Sequence, residues 1–180
     1  MVRTIGVAIG VPEPWGSYLD ERRAKAGDPM AEFIPAHVTL LGPTEVMIDQ
    51  AGEIEAHLAA VAARHAPFRL HLRGTGTFRP VTDVVFVAVA AGISECEQLA
   101  AAVRSGPLDR ELHYPYHPHV TVAHDVPAPA LDAAFEDLAG FSAKFPVTHF
   151  TLYEHGADGR WRPTRDFPLS GGEPAAGLSE

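Results

Sequence analysis

Two tetrapeptides hold residue types suited to proton transfer at a phosphate. They are His37-Val38-Thr39-Leu40 and His119-Val120-Thr121-Val122, 82 residues apart in a chain of 180. Each has a proline just before it (Pro35, Pro118) and another a few residues after (Pro43, Pro127). On a β-strand, residues i and i+2 share a face and lie about 6.6 Å apart at ~3.3 Å per residue. His37 and Thr39 therefore project together, while Val38 and Leu40 turn into the core. The same holds for His119 and Thr121 against Val120 and Val122. Facing each other, the two strands would line one cleft with two imidazoles and two hydroxyls.

Two histidines across a phosphate can divide one reaction. A neutral imidazole takes a proton from the attacking hydroxyl or water, and a protonated one gives a proton to the leaving oxygen. An unperturbed pKa of about 6.5 makes both forms available near neutrality. Each role is typically worth roughly 10²–10⁴-fold in rate. Threonine hydroxyls can donate to the non-bridging oxygens, and losing one preorganised donor of that kind costs about 3 kcal/mol. The scheme needs no metal or other cofactor.

A single His-x-Thr triplet means little. Ten His and ten Thr predict ~0.6 triplets by chance if positions are independent. There are three, the third being His149-Phe150-Thr151. It lacks the proline frame and follows His119 by only 30 residues. His149 is therefore read as a decoy on a structural strand, although Val147, His149, Thr151 and Tyr153 share a face and could still bring it to the cleft.

The elements that must position these groups alternate between strand and helix. Strands are expected at residues 3–11, 36–41, 68–74, 84–90, 119–124, 145–153 and 161–169. Gly42-Pro43 stops the second of these, and the last two form a hairpin across 156–159. Helices are expected at 18–26 with Ser17 as N-cap, at 49–65, at 93–105 with Ser94 near its start, and at 130–139. Each half offers a His-bearing strand, a helix and then two strands, which fits two related lobes. The pattern argues for α+β with mostly antiparallel sheets. A doubly wound parallel fold would need a glycine-rich nucleotide loop, and Gly74-Thr75-Gly76 lacks the third glycine. Residues 1–170 are read as one bilobal domain and 171–180 as a flexible tail.

Composition narrows the partners. The formal charge of −9 argues against wrapping a long duplex, which needs many Lys and Arg contacts, but leaves room for one nucleotide or RNA end. Cys96 is the only cysteine, so no intrachain disulfide can form. The apolar N-terminus is closed by Pro12-Glu13-Pro14 and reads as a buried strand, not a signal peptide. No stretch approaches the ~18 apolar residues of a membrane span. The cytoplasm is the default compartment, and nothing demands more than a monomer.

At the two motifs the sequence resembles the 2H phosphoesterase superfamily, specifically its 2′-5′ RNA ligase family of cyclic phosphodiesterases. Residues 36–43 and 118–123 carry the likeness, which extends from the first strand to the Trp161 hairpin. The resemblance implies a bilobal α+β fold with two antiparallel sheets around a cleft. It implies metal-free opening of a 2′,3′-cyclic phosphate, on an RNA 3′ end or a small nucleotide, to a 2′-phosphate. By analogy His37 is the general acid, His119 activates water, and Thr39 and Thr121 hold the phosphate. Some relatives join RNA ends through a 2′-5′ bond. One departure stands out: many members carry Arg three residues after the second Thr, where this chain has His124. Arginine clamps phosphate bidentately, and His is a weaker, pH-dependent substitute.

Other residues are candidates of a second order. Tyr116, Phe78 and Trp15 could stack on a base or simply pack. Arg79 and Arg73 could add positive potential, and His124 could touch substrate. The run His113-Tyr114-Pro115-Tyr116-His117-Pro118-His119 invites a metal reading, but no cysteine or compact carboxylate set accompanies it. Three functions compete: a cyclic phosphodiesterase, an RNA-end or nucleotide-binding module with little turnover, and a metal-dependent hydrolase built on residues 113–124.

Overall fold

Alternation of apolar and small residues shapes the first strand. The computed structural model describes residues 1–172. In β1 (Val2–Gly10), Val7 and Ile9 are buried, while Gly6, Ala8 and Gly10 occupy the opposite face. Helix α1 (Trp15–Lys25) then crosses to β2 (His37–Met47). After α2 (Ala51–Ala63) come β3 (Phe68–Thr77), β4 (Val84–Ala91), α3 (Ile93–Val103) and β5 (His119–His124). Helix α4 (Ala128–Asp137) leads to β6 (Ser142–Val147), β7 (His149–His155) and β8 (Trp161–Pro168).

The strands form two four-stranded sheets, ordered β2-β1-β7-β8 and β5-β4-β3-β6, with every pairing antiparallel. This is the α+β bilobal fold expected. The two His-bearing strands are each an edge strand of their own sheet, and β2 lies against β5. The expected repetition is present in the element order, as β2-α2-β3-β4 and β5-α4-β6-β7, and each of these runs is preceded by a strand and a helix.

Several boundaries depart from expectation for local reasons. Gly42-Pro43 does not stop β2, which continues to Met47. A register irregularity between Ile5 and Val7 absorbs the break, and an edge strand tolerates a proline without a donor. The single strand expected at 145–153 is two strands in different sheets. Thr148 separates β6, paired with β3, from β7, paired with β1 and β8. Ser17 is not an N-cap. Its amide and hydroxyl donate to the carboxylate of Glu13, and α1 starts at Trp15. At α3 the N-cap is Gly92 at φ 98°. Ser170 and Gly171 donate backbone hydrogen bonds to the carbonyls of Ala62 and His65, which ties the start of the expected tail to the end of α2. The rest of that tail, from residue 173, lies outside the described residues. No described helix is long and apolar enough to cross a membrane.

Candidate active site

The alternation that the motifs require is present at both edges. Val38, Leu40, Val120 and Val122 are at most 1% exposed, while His37, Thr39, His119 and Thr121 all line one cavity of about 700 Å³. Register places small residues beside each motif: Gly10 and Ala8 opposite His37 and Thr39, and Ala88 opposite His119. Gly6 and Ala8 also line the cavity, so the small residues of β1 deepen its floor. A Cβ on Gly6 would stand 3.3 Å from the Trp161 ring.

Each imidazole is oriented by the backbone just upstream. His37 Nδ1 lies 2.8 Å from the Pro35 carbonyl oxygen, and His119 Nδ1 lies 2.7 Å from that of His117. A carbonyl only accepts, so Nδ1 carries the proton in both rings and each Nε2 is left as the free base. The Pro35 end is held further by α1, where Asp20 accepts from the Ala36 amide at 2.8 Å. Phe78 meets His119 edge-on, with centroids 4.9 Å apart and planes at 90°. Phe86 backs both rings. Burial pushes both imidazoles toward neutrality. His37 falls to about 4, with the nearby charges of Arg23 and His119 adding to the effect, and His119 is also lowered, mainly by burial.

The remaining sequence candidates divide. Phe78 and His124 line the cavity. Tyr116 does not: its hydroxyl donates to the Thr39 carbonyl at 2.6 Å, so it braces the motif strand instead of meeting a base. Arg79 also turns away, bonding Asp132 at 2.8 Å and the Thr77 hydroxyl at 3.1 Å. Trp15 stacks on Phe145 and Arg73 is exposed outside the cavity. His149 is outside it too, 3.9 Å from Asp166, and Thr151 is buried against Asp166. Of that expected face only Tyr153 reaches the cavity. Among the described residues no three His, Cys, Asp or Glu side chains gather as a metal site would require.

Sequence reasoning missed Arg23, Asp28, Met30, Ile34, Asp125 and Trp161, which also line the cavity. Arg23 had a readable signal. It falls on the buried stripe of α1 with Gly16 and Leu19, at helical spacings of three and four, where a charge is out of place unless paired.

The family model for the 2'-5' RNA ligase superfamily matches residues 11–159. The chain belongs to this superfamily. Among curated relatives, a Bacillus thuringiensis (strain Al Hakam) protein named "Putative phosphoesterase" is 29% identical over 154 residues, covering 82% of this chain and 87% of the relative. Among solved structures, E. coli LigT complexed with NADP+ superposes with a TM-score of 0.68 at 25% identity, covering 94% of this chain and 99% of that one. TT0787 of Thermus thermophilus gives 0.67 at 26%, with 94% and 100% covered. LigT has also been solved with 3'-AMP. The fold is thus the LigT-like 2H phosphoesterase fold, with both histidine motifs inside the matched span.

Proposed function

We propose that the protein is a phosphoesterase that opens 2′,3′-cyclic phosphates, on a small nucleotide or an RNA 3′ end, to 2′-phosphates without a metal ion. The observation that carries this is the shared cavity, into which both motif histidines present a free Nε2. Water attacks phosphorus opposite the 3′-oxygen. His119 Nε2 takes the water proton as the new P–O bond forms. The P–O3′ bond breaks, and His37, protonated in the bound complex, passes its Nε2 proton to the 3′-oxygen. The hydroxyls of Thr39 and Thr121 donate to the non-bridging oxygens, where negative charge collects.

Burial leaves both rings neutral in the free protein, so the acid must be charged on binding. A phosphate anion between the rings favours the imidazolium form and works against desolvation. The assignment of acid to His37 rests on the family resemblance. Small-nucleotide substrates gain support from the LigT structures with NADP+ and 3'-AMP, and from a cavity with aromatic residues Tyr153, Trp161 and Phe78 in its wall.

The test is incubation with EDTA present of 2′,3′-cyclic mononucleotides and of an RNA oligonucleotide ending in a 2′,3′-cyclic phosphate, alongside H37A/H119A. Conversion to the 2′-phosphate by wild type alone is expected. Conversion by the double variant, or activity abolished by chelation, would overturn the reading.

A further inference from the structure

One guanidinium inside the cavity has no assigned task. Arg23 is 7% exposed and is the only Lys or Arg among the described residues that line the cavity. Its Nε donates to Asp28 Oδ2 at 2.8 Å. Among the described residues that is the only hydrogen bond of its side chain, and neither Nη is sealed away from solvent without a partner.

Asp28 is fully engaged. It is 2% exposed. Oδ2 also accepts from the His124 amide at 3.0 Å, and Oδ1 accepts from the Met30 amide at 2.9 Å. The carboxylate therefore fixes the guanidinium by one edge and joins α1 to the end of β5. The other acidic side chain of the cavity wall, Asp125, stands at an exposed rim beside His124 Nε2 at 3.4 Å.

We propose that Arg23 is the anion-binding residue of the cavity, its two Nη groups taking non-bridging oxygens of the phosphate held between His37 and His119. Two parallel N–H donors at the end of a planar, permanently charged group match a phosphate edge. A guanidinium has five N–H donors and is frequently bidentate to its carboxylate. Here Asp28 takes Nε alone, and both Nη groups keep solvent access at the cavity wall. In this chain the second motif strand ends in His124, and the permanent positive charge comes instead from a helix far upstream, held by Asp28, which lies 96 residues before the His124 whose amide it clamps. The inference rests on the functional reading for which phosphate is held, though not for whether it is hydrolysed.

The test is titration of 2′-AMP and adenosine into the intact protein, with R23M/D28N and R23K beside wild type. R23M/D28N removes both charges and leaves no buried carboxylate unpaired. Wild type is expected to bind 2′-AMP more tightly than adenosine. R23M/D28N should lose about 10- to 100-fold in 2′-AMP affinity with adenosine affinity unchanged. If R23M/D28N does not fold, R23K decides, because an ammonium serving Asp28 presents no second edge to the cavity and must show the same selective loss. An affinity for 2′-AMP within about threefold of wild type, or an equal loss for adenosine, overturns the proposal. So does a wild type that fails to distinguish the two ligands. Charge-selective binding through Arg23 without turnover of any cyclic phosphate would instead sink the hydrolase reading and leave this one standing.

Discussion

The Tyr116 hydroxyl donates a 2.6 Å hydrogen bond to the backbone carbonyl of Thr39. The segment that leads into one histidine motif is thereby tied to the strand that carries the other. Burial raises the phenol's pKa, so it remains a donor across the whole working pH range. The guanidinium of Arg104 lies 5.5 Å from the ring centroid.

Tyr116→Phe removes this tie and keeps the ring. A neutral hydrogen bond of this kind contributes about 0.5–1.5 kcal/mol, so the loss of stability should be small. The loss of kcat should be the larger effect, because the spacing of the two histidines depends on β2 and β5 holding together. Thermal unfolding and steady-state kinetics on a cyclic mononucleotide check this. A kcat equal to that of wild type would mean that the motifs are spaced by other contacts.

The pH profile follows from the two depressed histidines. The free-enzyme profile, kcat/KM against pH, reports macroscopic pKa values of the pair. With His37 near 4 and His119 below its usual 6.5, kcat/KM should peak on the acid side of 6.5. The kcat profile should lie at higher pH, because bound phosphate favours the imidazolium. A kcat/KM limb falling only above about pH 7.5 would contradict this.

The same shift predicts a stability effect. The His37 pKa is lower folded than unfolded, so between about 6.5 and 4 the unfolded chain binds the extra proton. Its contribution is fully present above pH 6.5, declines as pH falls through that window, and is lost below about 4. His37→Gln should flatten the fall of Tm between pH 6.5 and 4 relative to wild type. Parallel curves for the two proteins would rule out His37 as a source of acid sensitivity.

Gly76 on β3 sits opposite Phe86 on β4. A Cβ there would stand 2.6 Å from the Phe86 ring, and that ring packs on Phe78 and His119. Gly→Ala gains about 0.4–1 kcal/mol from the unfolded chain where the backbone allows it, but overpacking costs about 1–3 kcal/mol. Gly76→Ala should therefore be net destabilising and should lower kcat through His119. A higher Tm with unchanged kcat would show that the ring has room to yield.

The Arg23–Asp28 pair is buried on both sides, at 8% and 1% side-chain exposure. Asp28→Ala would leave a buried guanidinium uncompensated and two amides without an acceptor. A loss of roughly 3–5 kcal/mol is expected in chemical denaturation, and less when both charges are removed together. A loss under about 1 kcal/mol would mean that water takes over the carboxylate's role.

Much of the site was legible because strand alternation is local. His37/Thr39 and His119/Thr121 share a face through the two-residue repeat of a strand, and Val38, Leu40, Val120 and Val122 identify the buried side. Antiparallel α+β architecture followed from the same patterning. The break at Thr148 was not legible, because the run from Phe145 to Tyr153 is apolar enough for one strand and which sheet each part joins is a long-range choice. The same limit applies to Gly42-Pro43, which a free edge tolerates and a central strand would not.

The sequence by itself determined which groups are candidates for the chemistry and which way each pair points, since both follow from residue identity and backbone geometry within four residues. Only the tertiary structure decided that both motif strands are sheet edges lying against each other, that His37 and His119 give their Nδ1 protons to backbone carbonyls, and that Tyr116 braces Thr39 while Arg79 turns away. It also decided that Arg23 and Asp28 reach the cavity. Apart from the two imidazole–carbonyl bonds, which join residues two apart but depend on how each approach segment is held, these arrangements are set by the packing of two sheets and the burial of charge.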